Sequence, residues 1–192
     1  NSDGELWVCG NVAGTTANSL EQEGSLTDWK TIDAGTGNFG AVKTDGTLWT
    51  WGTNTAGTLC DGGTGATTSP NQVGSNTNWK IVTMGNQHAL AVTTDGELFA
   101  WGQNNNGMLG QGNTTNYSSP VQVGSLTSWT FVRMSALSNM SNAISAGRFF
   151  SFGSWNNYGE VGVGNKDVTY SSPVQVGSDT DWFFSACGEA TG

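Results

Sequence analysis

The sequence predicts an all-β fold built from about four copies of one four-stranded unit of roughly 50 residues. Three observations predict it. Trp29, Trp79 and Trp129 recur at spacings of 50 and 50, Trp182 follows after 53, and Pro70, Pro120 and Pro173 keep the same 50 and 53. Gly accounts for 29 of 192 residues and charged residues for only 11 %, which favours tight turns between short strands over long surface helices. Nine Trp and eight Phe are more aromatic mass than a disordered chain carries, so the Gly/Asn/Thr/Ser richness belongs to a folded protein.

Within a unit each element has a local reason. The turn comes first: Asp95-Gly96 lies between the apolar runs HALAVTT and ELFAWG, and Asp45-Gly46 does the same one unit earlier. An Asp-Gly pair at that place predicts a type I′ hairpin with positive φ at both residues. In the strand that follows, Leu98 and Ala100 alternate with Phe99 and Trp101, the period-two pattern of a strand packed on both faces. Gly102 and Gly107 bracket a turn-forming QNNN segment, Leu109 reads as a short strand return, and PVQV and WTFV supply two further strands.

Started at these turns, the units read DGELWVCGNVAG, DGTLWTWGTNTAGTLCDG, DGELFAWGQNNNGMLGQG and GRFFSFGSWNNYGEVGVG. They divide one domain, or a segment of one, into 1–44 (degenerate), 45–94, 95–146 and 147–192 (incomplete). One unit has two apolar faces and cannot bury them alone. Burying a Trp of about 200 Å² at about 25 cal/mol/Å² yields roughly 5 kcal/mol, against about 1.5 kcal/mol for each ordered residue. Neighbouring units must therefore share interfaces.

The segment WKIVTMGNQHALAVTTDGELFAWGQNNNGMLGQG, from Trp79 to Gly112, resembles the repeat of the regulator of chromosome condensation family, and the resemblance extends over nearly the whole chain. It implies a β-propeller of four-stranded blades, seven being typical of the family, with His88 as part of the blade. Departures are visible: Cys9 stands where Trp51 and Trp101 stand, Cys60 replaces the counterpart of Gly110, Asn38 replaces the counterpart of His88, and the fourth turn reads Ala146-Gly147. Both ends cut the pattern at one phase, so the expectation is a run of blades in a longer propeller. Several chains closing one ring, or a complete small propeller, are the alternatives.

Residues for chemistry are sparse. His88 is the single His, which leaves no zinc constellation and no second base, and the Asp residues of the turns are explained by the turns. Three Cys (Cys9, Cys60, Cys187) are too few and scattered for a disulfide framework. No catalytic residue, metal site or cofactor is expected. The net charge is −9, and the six cations, Lys30, Lys43, Lys80, Arg133, Arg148 and Lys166, never lie closer than 13 positions, so nucleic acid and membrane insertion are not expected.

Function is then expected on the propeller rims, where loops vary without disturbing the blades. The candidate binding residues are Asn104, Asn105, Asn106, Tyr117, Trp155, Asn156, Asn157 and Tyr158, amide and aromatic groups suited to protein and glycan. The composition points to a non-catalytic structural or adhesion component of an extracellular assembly, such as a phage virion or cell-surface protein. Nucleotide exchange on a small GTPase, as the resemblance implies, and secreted inhibition through a rim are the rivals.

Overall fold

The structure is a computed structural model and describes residues 3–12, 15–134, 139–153 and 158–185. It holds fourteen strands, and the one short helical element among the described residues is a 3-10 turn at Thr55–Gly57. Strands β1 (Trp7–Val12) and β2 (Thr15–Gln22) form a two-stranded sheet. Three four-stranded antiparallel meanders follow, which we call the first, second and third blades. They are β3 (Trp29–Ala34), β4 (Asn38–Lys43), β5 (Leu48–Gly52) and β6 (Thr67–Gln72); β7 (Trp79–Met84), β8 (His88–Thr93), β9 (Leu98–Gly102) and β10 (Tyr117–Gln122); β11 (Trp129–Met134), β12 (Met140–Ser145), β13 (Arg148–Gly153) and β14 (Tyr170–Gln175). Each sheet begins at its Trp strand, so a sequence unit started at the turn straddles two sheets.

The blades converge at their first strands and fan out at their fourth. β7 packs against β3 and β4, and β11 against β7 and β8, while β6 and β10 are largely exposed. Every residue of β8 is buried because both its faces are covered. Ala89 and Ala91 look towards the first blade with Trp79 and Trp101, and Leu90 and Val92 look towards the third, against Trp129, Val132 and Phe152.

The turn at the end of β8 corrects the type I′ expectation. Thr93 N–H donates to the Glu97 carbonyl at 3.0 Å and Gly96 N–H to the Thr93 carbonyl at 3.1 Å, a three-residue loop in which only Gly96, φ 77°, is left-handed. Asp45 likewise is free of the left-handed region, and its carboxylate instead accepts from Thr47 N–H at 2.9 Å and Thr47 Oγ1 at 2.7 Å. Those bonds hold its carboxyl below the usual range. The I′ geometry appears where the Asp is missing: Ser145 pairs with Arg148 across Ala146 (φ 48°) and Gly147 (φ 73°), the two-residue loop that matches strand twist. Leu109 also differs from its expected strand. It sits in a turn, its N–H bound to the Asn104 side chain at 2.9 Å.

The glycine of each turn has a second duty. A Cβ on Gly96 would lie 2.2 Å from the Thr127 carbonyl oxygen, because the turn is pressed against the chain entering the next blade, where Trp129 N–H donates to the Gly96 carbonyl at 3.0 Å. Trp79 clasps Gly46 and Trp182 clasps Gly147 in the same way, at 3.0 and 2.9 Å. A second seam runs along the first strands at equivalent positions. Asp33 accepts from Thr83 Oγ1 (2.7 Å) and Met84 N–H (2.9 Å) and pairs with Arg133 (3.5 Å), and Thr83 Oγ1 in turn accepts from Met134 N–H (3.2 Å).

Candidate functional site

An antiparallel meander sends alternate connections to opposite ends. One rim carries the long loops 53–66, 103–116 and 158–169 together with the short turns 35–37 and 85–87, and the other carries the turns between second and third strands and the inter-blade links. The described candidate residues, Asn104, Asn105, Asn106, Tyr117 and Tyr158, belong to the long-loop rim. Trp155, Asn156 and Asn157 lie outside the described residues.

Asn104 is not a surface residue: it is 0 % exposed. Its Oδ1 accepts from Leu109 N–H at 2.9 Å and its Nδ2 donates to the Asn113 carbonyl at 2.9 Å. Asn54 braces its own loop identically, with Leu59 N–H at 3.0 Å and the Gly63 carbonyl at 3.0 Å. The Asn two places after Trp-Gly thus supplies the hydrogen bonds that a buried irregular loop would otherwise lack. Asn106 and Tyr117 are half-buried. Tyr117 packs on the core between the second and third blades and its hydroxyl accepts from Asn113 Nδ2 at 3.2 Å. Asn105 and Tyr158 remain exposed, Tyr158 at 74 %. The loops also lock adjacent blades together, Gly107 resting on Ser171 and Gly57 on Ser118 so closely that a Cβ on either would lie 2.6 Å away.

His88 is buried, with Nε2 at 3.1 Å from Ser141 Oγ, and desolvation pushes its pKa down to about 4. It is a neutral joint between the second and third blades. Cys60 occupies a left-handed position, φ 54°, that Gly110 fills in the next unit at φ 67°, and burial, then Asp61, raise its thiol pKa. Among the described residues no three His, Cys, Asp or Glu side chains group as a metal site. No described helix is long and apolar enough to cross a membrane.

Sequence reasoning passed over the clefts between blades. In every blade the first-strand Trp meets the aromatic ring of the third strand edge-on: Trp29 with Trp49 at 6.3 Å, Trp79 with Phe99 at 5.2 Å and Trp129 with Phe150 at 5.2 Å. In the first blade Lys43 covers the pair. Its Nζ lies 5.1 Å from the Trp29 ring and 4.4 Å from the Trp49 ring, and 3.3 Å from Asp28. Lys43 stands opposite Trp29 in the ladder; Thr93 and Ser145 stand opposite Trp79 and Trp129. Clefts of about 370 and about 310 Å³ open beside those two later pairs. The signal was the unequal residue opposite an invariant Trp, visible only once strand register is known.

The repeat model for regulator of chromosome condensation (RCC1) matches residues 45–92 and 95–143, about half of the chain, and a second model of the same repeat matches 79–107. The chain belongs to the RCC1 repeat family. Its architecture is an RCC1-repeat propeller scaffold. Solved structures agree in fold: human WBSCR16 superposes with a TM-score of 0.83 at 20 % identity, over 98 % of this chain and 52 % of that one. Prp20p from Saccharomyces cerevisiae gives 0.71 at 20 % identity, over 83 % and 40 %. The yeast RCC1 (Prp20) complex with Kap60 gives 0.70 at 22 %, over 83 % and 39 %. The chain thus spans about half the length of WBSCR16 and about two fifths of the yeast chains. A search of curated protein sequences gives no match.

Proposed function

We propose that this RCC1-repeat chain is a non-catalytic binding scaffold that engages a protein partner through its long-loop rim. The observation that carries this reading is the division of labour within that rim. Asn54 and Asn104 are consumed by bracing their loops, whereas Asn105 stands exposed on one braced loop and Tyr158 stands exposed on the same rim, its N–H bonded to Glu160 at 3.1 Å. An aromatic group presented on a preorganised loop suits a protein or glycan surface. The acidic, Lys-poor, Thr/Asn/Ser/Gly-rich composition supports a place in an extracellular assembly, as a structural or adhesion component of a virion or cell surface, within a longer or multi-chain propeller.

A second reading has its own support in the solved structures. Prp20p is described with binding properties to Gsp1p and histones, and yeast RCC1 (Prp20) as bound by Kap60. On that reading the chain is part of an exchange-type regulator of a small GTPase. The deciding experiment pairs a nucleotide-release assay on small GTPases with glycan-array and cell-surface binding, using the wild type and Asn105→Ala/Tyr158→Ala. Rim-dependent surface binding without nucleotide release supports the scaffold reading. Accelerated release overturns it in favour of the regulator.

A further inference from the structure

The three blades share one aromatic pair and differ in the charge beside it in a way that singles out the second. The first blade supplies its own ammonium, Lys43, seated over Trp29 and Trp49 and paired with Asp28. In the second blade the residue at the place of Lys43 is Thr93, which is buried and too short to reach over Trp79 and Phe99. The cleft of about 370 Å³ there is walled by Phe99 and Trp79 on one side and by Val73, Ser119 and Pro120 on the others.

The charge two residues before the third-strand ring has been exchanged as well. Thr47, which accepts from Trp49 Nε1 at 2.8 Å in the first blade, is replaced by Glu97 in the second and by Arg148 in the third. Glu97 lies two residues before Phe99, so strand alternation puts both on one face. Glu97 is half-buried, and its carboxylate has no ion-pair or hydrogen-bond partner among the described residues. Asp95, in the same turn, is held by Asn78 Nδ2 at 2.7 Å, just before Trp79. The third blade carries Arg148 at this position, and Ser128 is bonded to Ser145, the residue opposite Trp129, at 2.7 Å. Of the three blades, only the second combines the aromatic pair with a carboxylate at the position of Thr47 and no cation at the position of Lys43.

We propose that the cleft between the first and second blades binds an alkylammonium group, presented as a lysine side chain of a partner polypeptide. Lys43 shows the bound arrangement inside the same molecule: a four-carbon stem along the sheet and an ammonium between two ring faces and a carboxylate. Ring quadrupole and carboxylate attract the same charge, and the −9 chain draws basic partners towards it. Cys60 of the long loop 53–66 also lines this cleft, but the proposed rim contacts Asn105 and Tyr158 do not.

The test is an NMR titration of the whole 192-residue chain with three probes: capped Gly-Lys-Gly, its norleucine isostere and tetramethylammonium. The expected result is that the lysine peptide and tetramethylammonium shift the Trp79 indole and the amides of 73–76, Ser119 and Val121, while norleucine binds at least fivefold more weakly. Glu97→Gln weakens lysine binding severalfold at unchanged thermal stability. Thr93→Lys, which copies the first blade, abolishes it. Equal binding of the norleucine peptide, shifts confined to other acidic turns, or indifference to Glu97→Gln each overturn the proposal. Loss of lysine binding in these variants with rim-dependent partner binding intact separates this site from the rim.

Discussion

The first and second blades are built to one plan at a 50-residue spacing, yet they handle charge in opposite ways. The first blade closes on itself: Lys43 lies over Trp29 and Trp49 with Asp28 beside it, and Asp33 gathers Thr83, Met84 and Arg133 from the two blades that follow. The second blade is neutral inside, with Thr93, Thr83 and a neutral His88 at the equivalent places, and leaves Glu97 at its edge. What the blades share is geometry, namely the turn glycine, the clasping Trp and the loop Asn. What differs is the set of side chains that geometry does not demand. Shared positions should therefore fail alike in every blade, and divergent ones should fail singly.

The largest expected effect belongs to the shared clasp. Gly96→Ala strains a left-handed residue and drives a methyl into the Thr127 carbonyl, so chemical denaturation should show a loss of about 4 kcal/mol or more. Gly46→Ala should match it, and a loss in only one of the two would break the equivalence. Next is the loop brace. Asn104→Ala strands Leu109 N–H and the Asn113 carbonyl in a buried site, at a cost of about 3 to 4 kcal/mol. The neighbouring exposed Asn105→Ala should stay within about 0.5 kcal/mol.

Histidine marks a divergent position and gives a pH signature. The unfolded chain takes up the His88 proton near the ordinary imidazole value of 6.5, and desolvation lets the folded protein take it up only at about 4. The unfolded state therefore binds more protons between those values, and stability falls as pH drops through that window by about 3 kcal/mol. Above the unfolded value this contribution is fully present. His88→Asn, the residue the first blade carries as Asn38, should flatten that part of the stability-pH curve measured against wild type. The smallest effect is at Lys43. Lys43→Met keeps the stem but removes the ammonium from the two rings, and thermal melts should register about 1 kcal/mol. Thr93→Met, where no cation is lost, gives the control.

Most of the fold was legible in the chain. The recurrence of Trp, Pro and Asp-Gly at constant spacing sets strand number and order, because each residue type answers a local demand of turn, strand or buried face. Turn type was less legible. Asp95-Gly96 is compatible with either a two-residue or a three-residue loop, and the close approach of Thr127 to Gly96 is a contact with the next blade that no dipeptide encodes. The rim was partly legible. Asn105 and Tyr158 are exposed as the loop composition suggests, but Asn104, chemically identical to its neighbour, turns inward because the Leu109 N–H and the Asn113 carbonyl need partners.

By itself the sequence determined the repeat, the all-β class and the apolar faces that force units to stack, since periodicity and turn chemistry act within a few residues along the chain. Only the tertiary structure decided which residue stands opposite each Trp, and hence that Lys43 covers one aromatic pair while Thr93 leaves the next with an open cleft beside it. Those relations depend on strand register and on the packing of one blade against another, and each Trp and the residue opposite it lie fourteen to sixteen residues apart in the chain.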